Sequence, residues 1–181
     1  EAPQALDLLT DAVPPRSRVL DLGCGAGAPV ARALAARYEV VGVDLSASML
    51  RMARSQVPGA SLVRADMGTV AFAGGSFDAI VSFYAIFHLP RELQPPLFQR
   101  LHRWLRPGGH LLVSLGRTDE APYTEEFFGV EMYWSHYGVA RYREMLRDSG
   151  FEIVEERMLA HGYREDDAPP AEAHPVFFAR R

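Results

Sequence analysis

Short apolar runs alternate with segments of helical periodicity along most of this chain, and acidic or glycine-rich positions close the runs. Ala5–Val13 carries apolar residues at helical spacing and stops at Pro14-Pro15, where a helix cannot continue. Val19–Leu22 predicts a strand, and Pro29–Arg37 predicts a helix with Pro29 tolerated in its first turn. Val40–Val43 is a second strand ending at Asp44, followed by a helix over Ala47–Gln56 that Ser46 caps and Pro58-Gly59 closes. Ser61–Ala65 predicts a third strand ending at Asp66, and Phe77–Phe83 a fourth, buried one. Leu97–Leu105 reads as a helix, Pro107-Gly108-Gly109 as a turn and His110–Leu115 as a strand. The rhythm breaks over Arg117–Tyr137, which is polar, aromatic and irregular. It returns with a helix at Val139–Asp148, an edge strand at Phe151–Leu159 and a final strand at Pro175–Arg180. Arg164–Ala173, acidic and proline-containing, predicts a solvated loop. Strands alternating with helices at this spacing imply a parallel, doubly wound sheet covered on both faces, with right-handed crossovers.

The stretch Val19-Leu20-Asp21-Leu22-Gly23-Cys24-Gly25-Ala26-Gly27 carries the most chemistry. Glycines let the chain turn sharply after a strand and let a ligand lie against the peptide groups; the same three also suit a tight turn that binds nothing. Asp21 bears on which ligand fits. A dinucleotide fold brings a pyrophosphate to this loop and the following helix N-terminus. A carboxylate two residues before the first glycine repels that group and suits a ligand carrying an ammonium and a sulfonium. Asp44 follows Gly27 by 17 positions (44 − 27), close to the spacing of about 20 at which an acid accepts hydrogen bonds from ribose hydroxyls. It also suits a helix cap, with Ser46 in competition for that role.

Composition narrows the classes. At 181 residues the chain suits one domain with a substantial core. Its 48% hydrophobic and 23% charged content is ordinary for a globular protein. A net charge of −4 argues against a nucleic-acid partner, which needs a basic surface. Cys24 is the single cysteine, so no intramolecular disulfide forms, and no apolar run is long enough for a membrane span. The expectation is a cytoplasmic protein. All 19 basic residues are arginine, which excludes lysine Schiff-base chemistry and a P-loop lysine. Asparagine is absent as well.

Val-Leu-Asp-Leu-Gly-Cys-Gly-Ala-Gly at 19–27, Val-Gly-Val-Asp-Leu-Ser at 41–46, Ala-Asp-Met at 65–67, Phe-Asp-Ala-Ile-Val-Ser at 77–82 and Leu-Arg-Pro-Gly-Gly at 105–109 resemble, in order and spacing, the class I S-adenosylmethionine-dependent methyltransferases. The resemblance covers residues 19 to about 116, with Asp148-Ser-Gly-Phe-Glu-Ile similar to the segment before that family's late antiparallel strand. It implies an α/β, Rossmann-like seven-stranded sheet of order 3-2-1-4-5-7-6 with the last strand antiparallel. One domain then spans 1–181: a cofactor half at 1–116, an aromatic insertion at 117–137 capping the substrate, and a C-terminal helix with antiparallel strands at 138–181. It further implies that S-adenosylmethionine is the cofactor and S-adenosylhomocysteine its product. Gly23, Gly25 and Gly27 then approach the methionine part and Asp21 lies near its ammonium. Asp44 takes the ribose, Leu45 flanks the adenine, Met49 belongs to the same cofactor site, Asp66 with Met67 reads the adenine edge, and the Ser82-Phe83 backbone completes the ammonium site.

A sulfonium methyl is already electrophilic, so the protein must align a nucleophile and exclude water. A hydroxyl nucleophile also needs a base. His88, in Tyr84-Ala-Ile-Phe-His88, is the first candidate, although a histidine between Phe87 and Leu89 also suits a packed, hydrogen-bonded role. His136 is the second, within an aromatic group containing Tyr123, Phe127, Phe128 and Trp134 that, with Tyr84 and His88, would wall a substrate pocket or anchor the insertion. The chain has no Asp- or Asn-Pro-Pro-aromatic motif after the fourth strand, Cys24 lies in the cofactor loop, and the asparagine of metal-dependent relatives is missing. The expectation is a metal-free enzyme acting on a small, partly apolar or aromatic acceptor, with no nucleic acid or membrane partner; acceptor atom and oligomeric state stay open. Alternatives are a protein that binds S-adenosylmethionine or S-adenosylhomocysteine without turnover, and a nicotinamide oxidoreductase, disfavoured by Asp21 and by the degenerate fingerprint ending at Ala28.

Overall fold

β1 (Arg18–Leu22) is buried from its second residue onward, as a central parallel strand must be when helices cover both its faces. It lies between β2 (Glu39–Asp44) and β4 (Phe77–Ser82), both parallel to it. β3 (Ser61–Arg64) flanks β2 and β5 (Leu105–Ser114) flanks β4, again in parallel. The computed structural model describes residues 2–127, 129–161 and 172–181. The C-terminal strands β8 (Glu152–His161) and β9 (Glu172–Arg180) complete the sheet, with β9 antiparallel to both β5 and β8. The order is β3-β2-β1-β4-β5-β9-β8. This is the expected 3-2-1-4-5-7-6 order, renumbered because two further strands precede the last pair. The strand order reverses between β1 and β4, the place where open α/β sheets bind ligands beyond the strand carboxyl ends.

Side chains alternate across the sheet, which splits the core in two. Leu20 and Leu22 pack on one side with Ile80, Leu101 and Trp104 of α4 (Gln94–Trp104) and Tyr142 of α5 (Val139–Asp148). Val19 packs on the other with Ala5 and Leu9 of α1 (Ala2–Ala12) and Ala31 and Leu34 of α2 (Val30–Ala35). Each such large apolar side chain contributes about 1.5–3 kcal/mol when fully buried. Asp21 shares the face of Val19, so a carboxylate enters the core one residue before the strand ends. Between β2 and β3 runs α3 (Ala47–Gln56), whose N-cap is Ser46 with its Oγ accepting from the Met49 N–H at 3.3 Å. The cap is therefore Ser46, and Asp44 is left for another role.

Three segments depart from the pattern expected of the sequence. The 117–137 stretch is not irregular: β6 (Glu120–Phe127) and β7 (Val130–His136) form an antiparallel hairpin, a separate two-stranded sheet. Every residue of β6 is exposed, so no buried face imposes the alternation that marks a strand. The hairpin turns at Gly129, whose φ of +77° favours glycine. Secondly, β5 begins at Leu105 instead of His110. Its register against β4 jumps from Phe77↔Leu105 to Ala79↔His110, so Pro107-Gly108-Gly109 bulges out of a strand that continues through it. Thirdly, α4 starts at Gln94, because Pro95 and Pro96 occupy its first positions, where a missing N–H costs nothing. The expected loop at Arg164–Ala173 lies outside the described residues except for its last two, which belong to β9. Among the described residues no helix is long and apolar enough to cross a membrane.

Candidate active site

Asp21 lies between Gly42 of β2 and Val81 of β4 in the sheet register and is only 2% exposed. Its Oδ2 is buried with no hydrogen-bond partner. Burial and, secondarily, the nearby Asp44 push its carboxyl up to about 7. A buried acceptor left unpaired costs free energy unless something outside the chain supplies a donor.

The chain after Asp21 turns sharply at the tip of β1. Gly23 and Cys24 both donate their backbone N–H to the Val43 carbonyl, at 2.8 and 3.0 Å, which pins the loop to the tip of β2. Gly23 has φ +81°, and a Cβ there would fall 2.3 Å from Ala85 Cβ, so glycine is required by contact as well as by conformation. Gly25 differs. At φ +51° it has nothing within 4 Å of a would-be Cβ, and it presents bare backbone to open space beside the sheet. Its N–H donates to Asp44 Oδ2 at 2.8 Å, while Asp44 Oδ1 accepts from the Ser46 N–H at 2.8 Å. Asp44 thus orients loop and helix start together, and each of its oxygens keeps acceptor capacity. Burial, reinforced by Asp21 and Asp44, pushes the Cys24 thiol up to about 12, so Cys24 stays protonated and is no nucleophile.

Beside these acids the chain after β2 and the start of α3 present apolar side chains to solvent. Leu45 is 64% exposed and Met49 42%, an arrangement that leaves hydrophobic surface uncovered next to Asp44. Met67 reaches the glycine loop, its Cε 3.4 Å from the would-be Cβ of Gly23. Asp66 is exposed, and its Oδ1 accepts from the Gly68 N–H at 2.7 Å in a tight turn. Ser82 does not point outward: its hydroxyl donates to the Leu22 carbonyl at 2.7 Å and ties β4 to β1. The Phe83 side chain packs in the core with α1 and α2. Only the backbone of this pair can face the loop.

After β4 the chain is strained. Tyr84 has φ +53°, a conformation that costs a non-glycine residue about 1–2 kcal/mol, and its N–H donates to the buried Ser114 Oγ at 2.7 Å. A single 3-10 turn, Ile86–His88, follows, starting at the Ala85 that packs on Gly23. His88 Nδ1 lies 2.9 Å from the Tyr133 carbonyl of β7. A carbonyl can only accept, so Nδ1 carries the proton and Nε2 keeps its lone pair. Burial lowers the His88 pKa below the usual histidine value, with the Tyr133 bond opposing it.

The hairpin is what completes this region. Phe87 stacks on Trp134 (centroids 5.5 Å apart), and Trp134 lies 4.3 Å from the His88 ring. Tyr123 and Phe127 join Trp134 from β6, at 6.4 and 5.7 Å. Tyr84, His88, Tyr123, Phe127 and Trp134 are therefore linked through one aromatic cluster, whereas Phe128 lies outside the described residues. His136 sits at the hairpin root with Nδ1 donating to the Thr118 carbonyl at 2.7 Å, edge-on to Phe87 at 6.4 Å. An isolated two-stranded sheet is marginal. The root is held by an Arg91–Asp119 ion pair at 2.8 Å and by the Arg91 guanidinium 4.1 Å over Tyr137.

Two participants were invisible in the sequence. His174, at the start of β9, stacks on Phe87 at 5.5 Å and meets Tyr84 edge-on at 5.4 Å; sequence periodicity begins that strand one residue later, at Pro175. Gln94 lies fully buried behind His88, hidden by a helix start that Pro95-Pro96 masks. Despite three histidines near Phe87, among the described residues no three His, Cys, Asp or Glu side chains converge as metal ligands.

Comparison with known proteins places this architecture. The sequence profile described as "Methyltransferase domain" matches residues 19–109. Phosphoethanolamine N-methyltransferase 1 of Arabidopsis thaliana is 36% identical over 149 residues, 77% of this chain and 30% of that protein. Trans-aconitate 2-methyltransferase of Deinococcus radiodurans is 41% identical over 105 residues, 56% of this chain and 38% of that protein. The chain thus spans well under half the length of these relatives. An S-adenosylmethionine-dependent methyltransferase structure from Mesorhizobium loti superposes with a TM-score of 0.75 at 24% identity, covering 98% of both chains.

Proposed function

Because this chain belongs to the methyltransferase domain family, we propose that it transfers a methyl group from S-adenosylmethionine to a small-molecule acceptor, with Asp21 receiving the cofactor's ammonium and His88 the acceptor's proton. The observation that carries this is the unpaired, buried Asp21 Oδ2 beside a glycine backbone left open at Gly25. A carboxylate without a donor fits an ammonium and opposes a pyrophosphate, which disfavours a nicotinamide dinucleotide. Bound S-adenosylmethionine supplies a methyl group on a positively charged sulfur. Asp44 accepts from the ribose hydroxyls while keeping its bonds to Gly25 and Ser46. Leu45, Met49 and Met67 cover the adenine faces, Asp66 meets its edge, and the backbone at Ser82-Phe83 closes the ammonium site.

On the acceptor side, the hairpin serves as the cap. Tyr84, Tyr123, Phe127 and Trp134 supply a wall suited to a partly apolar or aromatic molecule, and Phe128 belongs to the same proposal. His88 Nε2 would take the proton that the acceptor loses as its nucleophile bonds to the methyl carbon, the carbon–sulfur bond breaking to leave S-adenosylhomocysteine. Burial favours the neutral imidazole, the form a base must hold. His136, bound to Thr118 at the hairpin root, is the secondary candidate. The named relatives act on an amine and on trans-aconitate, so the family leaves the choice of acceptor to each pocket. A protein that only stores the cofactor needs no histidine with a fixed tautomer beside an aromatic wall, and this weighs against binding without turnover.

Incubation with methyl-labelled S-adenosylmethionine and a panel of phenols, amines, thiols and carboxylates tests the proposal. Label is expected in at least one acceptor class. Tight S-adenosylhomocysteine binding with no transfer across the panel would favour the storage role.

A further inference from the structure

Gln94 is the first residue of α4 and is fully buried. Its amide satisfies every hydrogen-bonding group it owns with partners from three other parts of the chain. Nε2 donates to the Leu89 carbonyl at 2.9 Å and to the Ser135 carbonyl at 2.7 Å. Oε1 accepts from the Tyr142 hydroxyl at 2.8 Å, and that hydroxyl in turn accepts from the Tyr137 N–H at 3.3 Å. The helix itself does not require this: its N-cap shows no side-chain hydrogen bond, and Pro95 and Pro96 already start it.

The partners show what the amide does. Leu89 ends the 3-10 turn that carries His88. Ser135 is two residues beyond Tyr133, whose carbonyl accepts the hydrogen bond from His88 Nδ1–H. Residues two apart on a strand turn their carbonyls to the same edge, here the edge of β7 that β6 leaves unpaired. One amide therefore ties the turn that carries the base to the strand that fixes its tautomer. The amide cannot rotate about its terminal bond, since Tyr142 must face Oε1 with a donor and two carbonyls must face Nε2. Tyr142 comes from α5 and is itself fully buried, so it orients Gln94 from the core.

We propose that Gln94, held in one orientation by Tyr142, is a positioning residue that keeps His88 against the Tyr133 carbonyl and its Nε2 free to accept a proton. This rests on His88 as the base of the proposed reaction, and the test separates the two claims.

The tautomer and titration of His88 are followed by imidazole 15N NMR in the cofactor-free protein, for wild type, Gln94→Ala and Tyr142→Phe. Wild type is expected as the Nδ1-protonated form titrating below the ordinary histidine value. Gln94→Ala is expected to mix in the Nε2-protonated form and move the titration back toward that value, with kcat lowered about tenfold at unchanged S-adenosylhomocysteine affinity. In a His88→Ala background the same substitution is expected to cost nothing more, because its effect runs through the missing imidazole. Tyr142→Phe keeps the ring in the core and is expected to show the same NMR change to a smaller degree; it stands in should Gln94→Ala fail to fold. An unchanged His88 tautomer and titration in both folded variants, or a Gln94→Ala loss that persists undiminished without His88, would overturn the positioning role. Unchanged turnover in His88→Ala alone would instead remove the base, while the NMR result still decides the positioning claim.

Discussion

Replacing His88 by alanine is expected to lower kcat by about 10²- to 10⁴-fold, the range for loss of a positioned base, with S-adenosylhomocysteine affinity unchanged. The two effects separate because His88 stands on the turn after β4 and against the hairpin, while the acids and glycines of the cofactor side belong to β1, β2 and the loop between β1 and α2. The pH dependence has a definite sign. A base acts when unprotonated, so kcat at saturating cofactor rises with pH through the His88 pKa and then levels. Burial moves that pKa below the ordinary 6.5, so the rise lies on the acid side of that value. Initial rates between about pH 5 and 8 in wild type and His88→Ala check this, and an acid limb that survives the substitution contradicts it.

Asp21→Asn is expected to separate binding from stability. An ionised hydrogen-bond partner is worth about 1.5–3 kcal/mol, so S-adenosylhomocysteine affinity falls by about 10- to 100-fold. Stability moves the other way at alkaline pH. The Asp21 carboxyl is pushed from 3.8 to about 7 on folding; between those values the folded state holds a proton that the unfolded state has lost. Stability therefore declines as pH rises through that window, by about 1.4 kcal/mol per pH unit, and is spared below it. Asparagine carries no charge to bury, so the variant escapes the decline. Thermal melts near pH 5 and pH 8 should show the wild type losing ground to Asp21→Asn at the higher pH. A variant with unaltered affinity, or one that melts in parallel with wild type at both values, contradicts the assigned role of the carboxylate.

What was legible in the sequence follows from what burial imposes. Strands covered on both faces must be apolar nearly throughout, so Val19–Leu22, Val40–Val43 and Phe77–Phe83 stand out, and Asp21 and Asp44, which interrupt or end the first two runs, mark the ligand-binding end of the sheet. The hairpin did not stand out because β6 buries none of its residues. It is a strand through its pairing with β7 and the packing of Tyr123 and Phe127 on Trp134, both long-range facts. Pro107-Gly108-Gly109 reads as a turn, yet the backbone bulges and resumes pairing with β4 beyond it in a shifted register. Gln94 and His174 escaped for a related reason. Each lies one to three residues outside a periodic segment, at a boundary masked by proline, and each has its role set by residues far away in the chain: Leu89, Ser135 and Tyr142 for Gln94, Phe87 and Tyr84 for His174. The two candidate histidines were both legible, but only His88 combines a fixed tautomer with close contact to Trp134.

The central claim is that the Asp21 carboxylate, buried without a partner, receives the ammonium group of the bound ligand. Titration calorimetry of the wild-type protein with S-adenosylhomocysteine, at about pH 6 and pH 8 in buffers of different ionisation heat, addresses it most directly. Since the carboxyl titrates at about 7 and a bound ammonium favours its charged form, binding at the lower pH should release a proton. At the higher pH it should release almost none, with NAD failing to bind at either. Absence of S-adenosylhomocysteine binding, or binding with equal affinity and no proton release at both values, would contradict the claim.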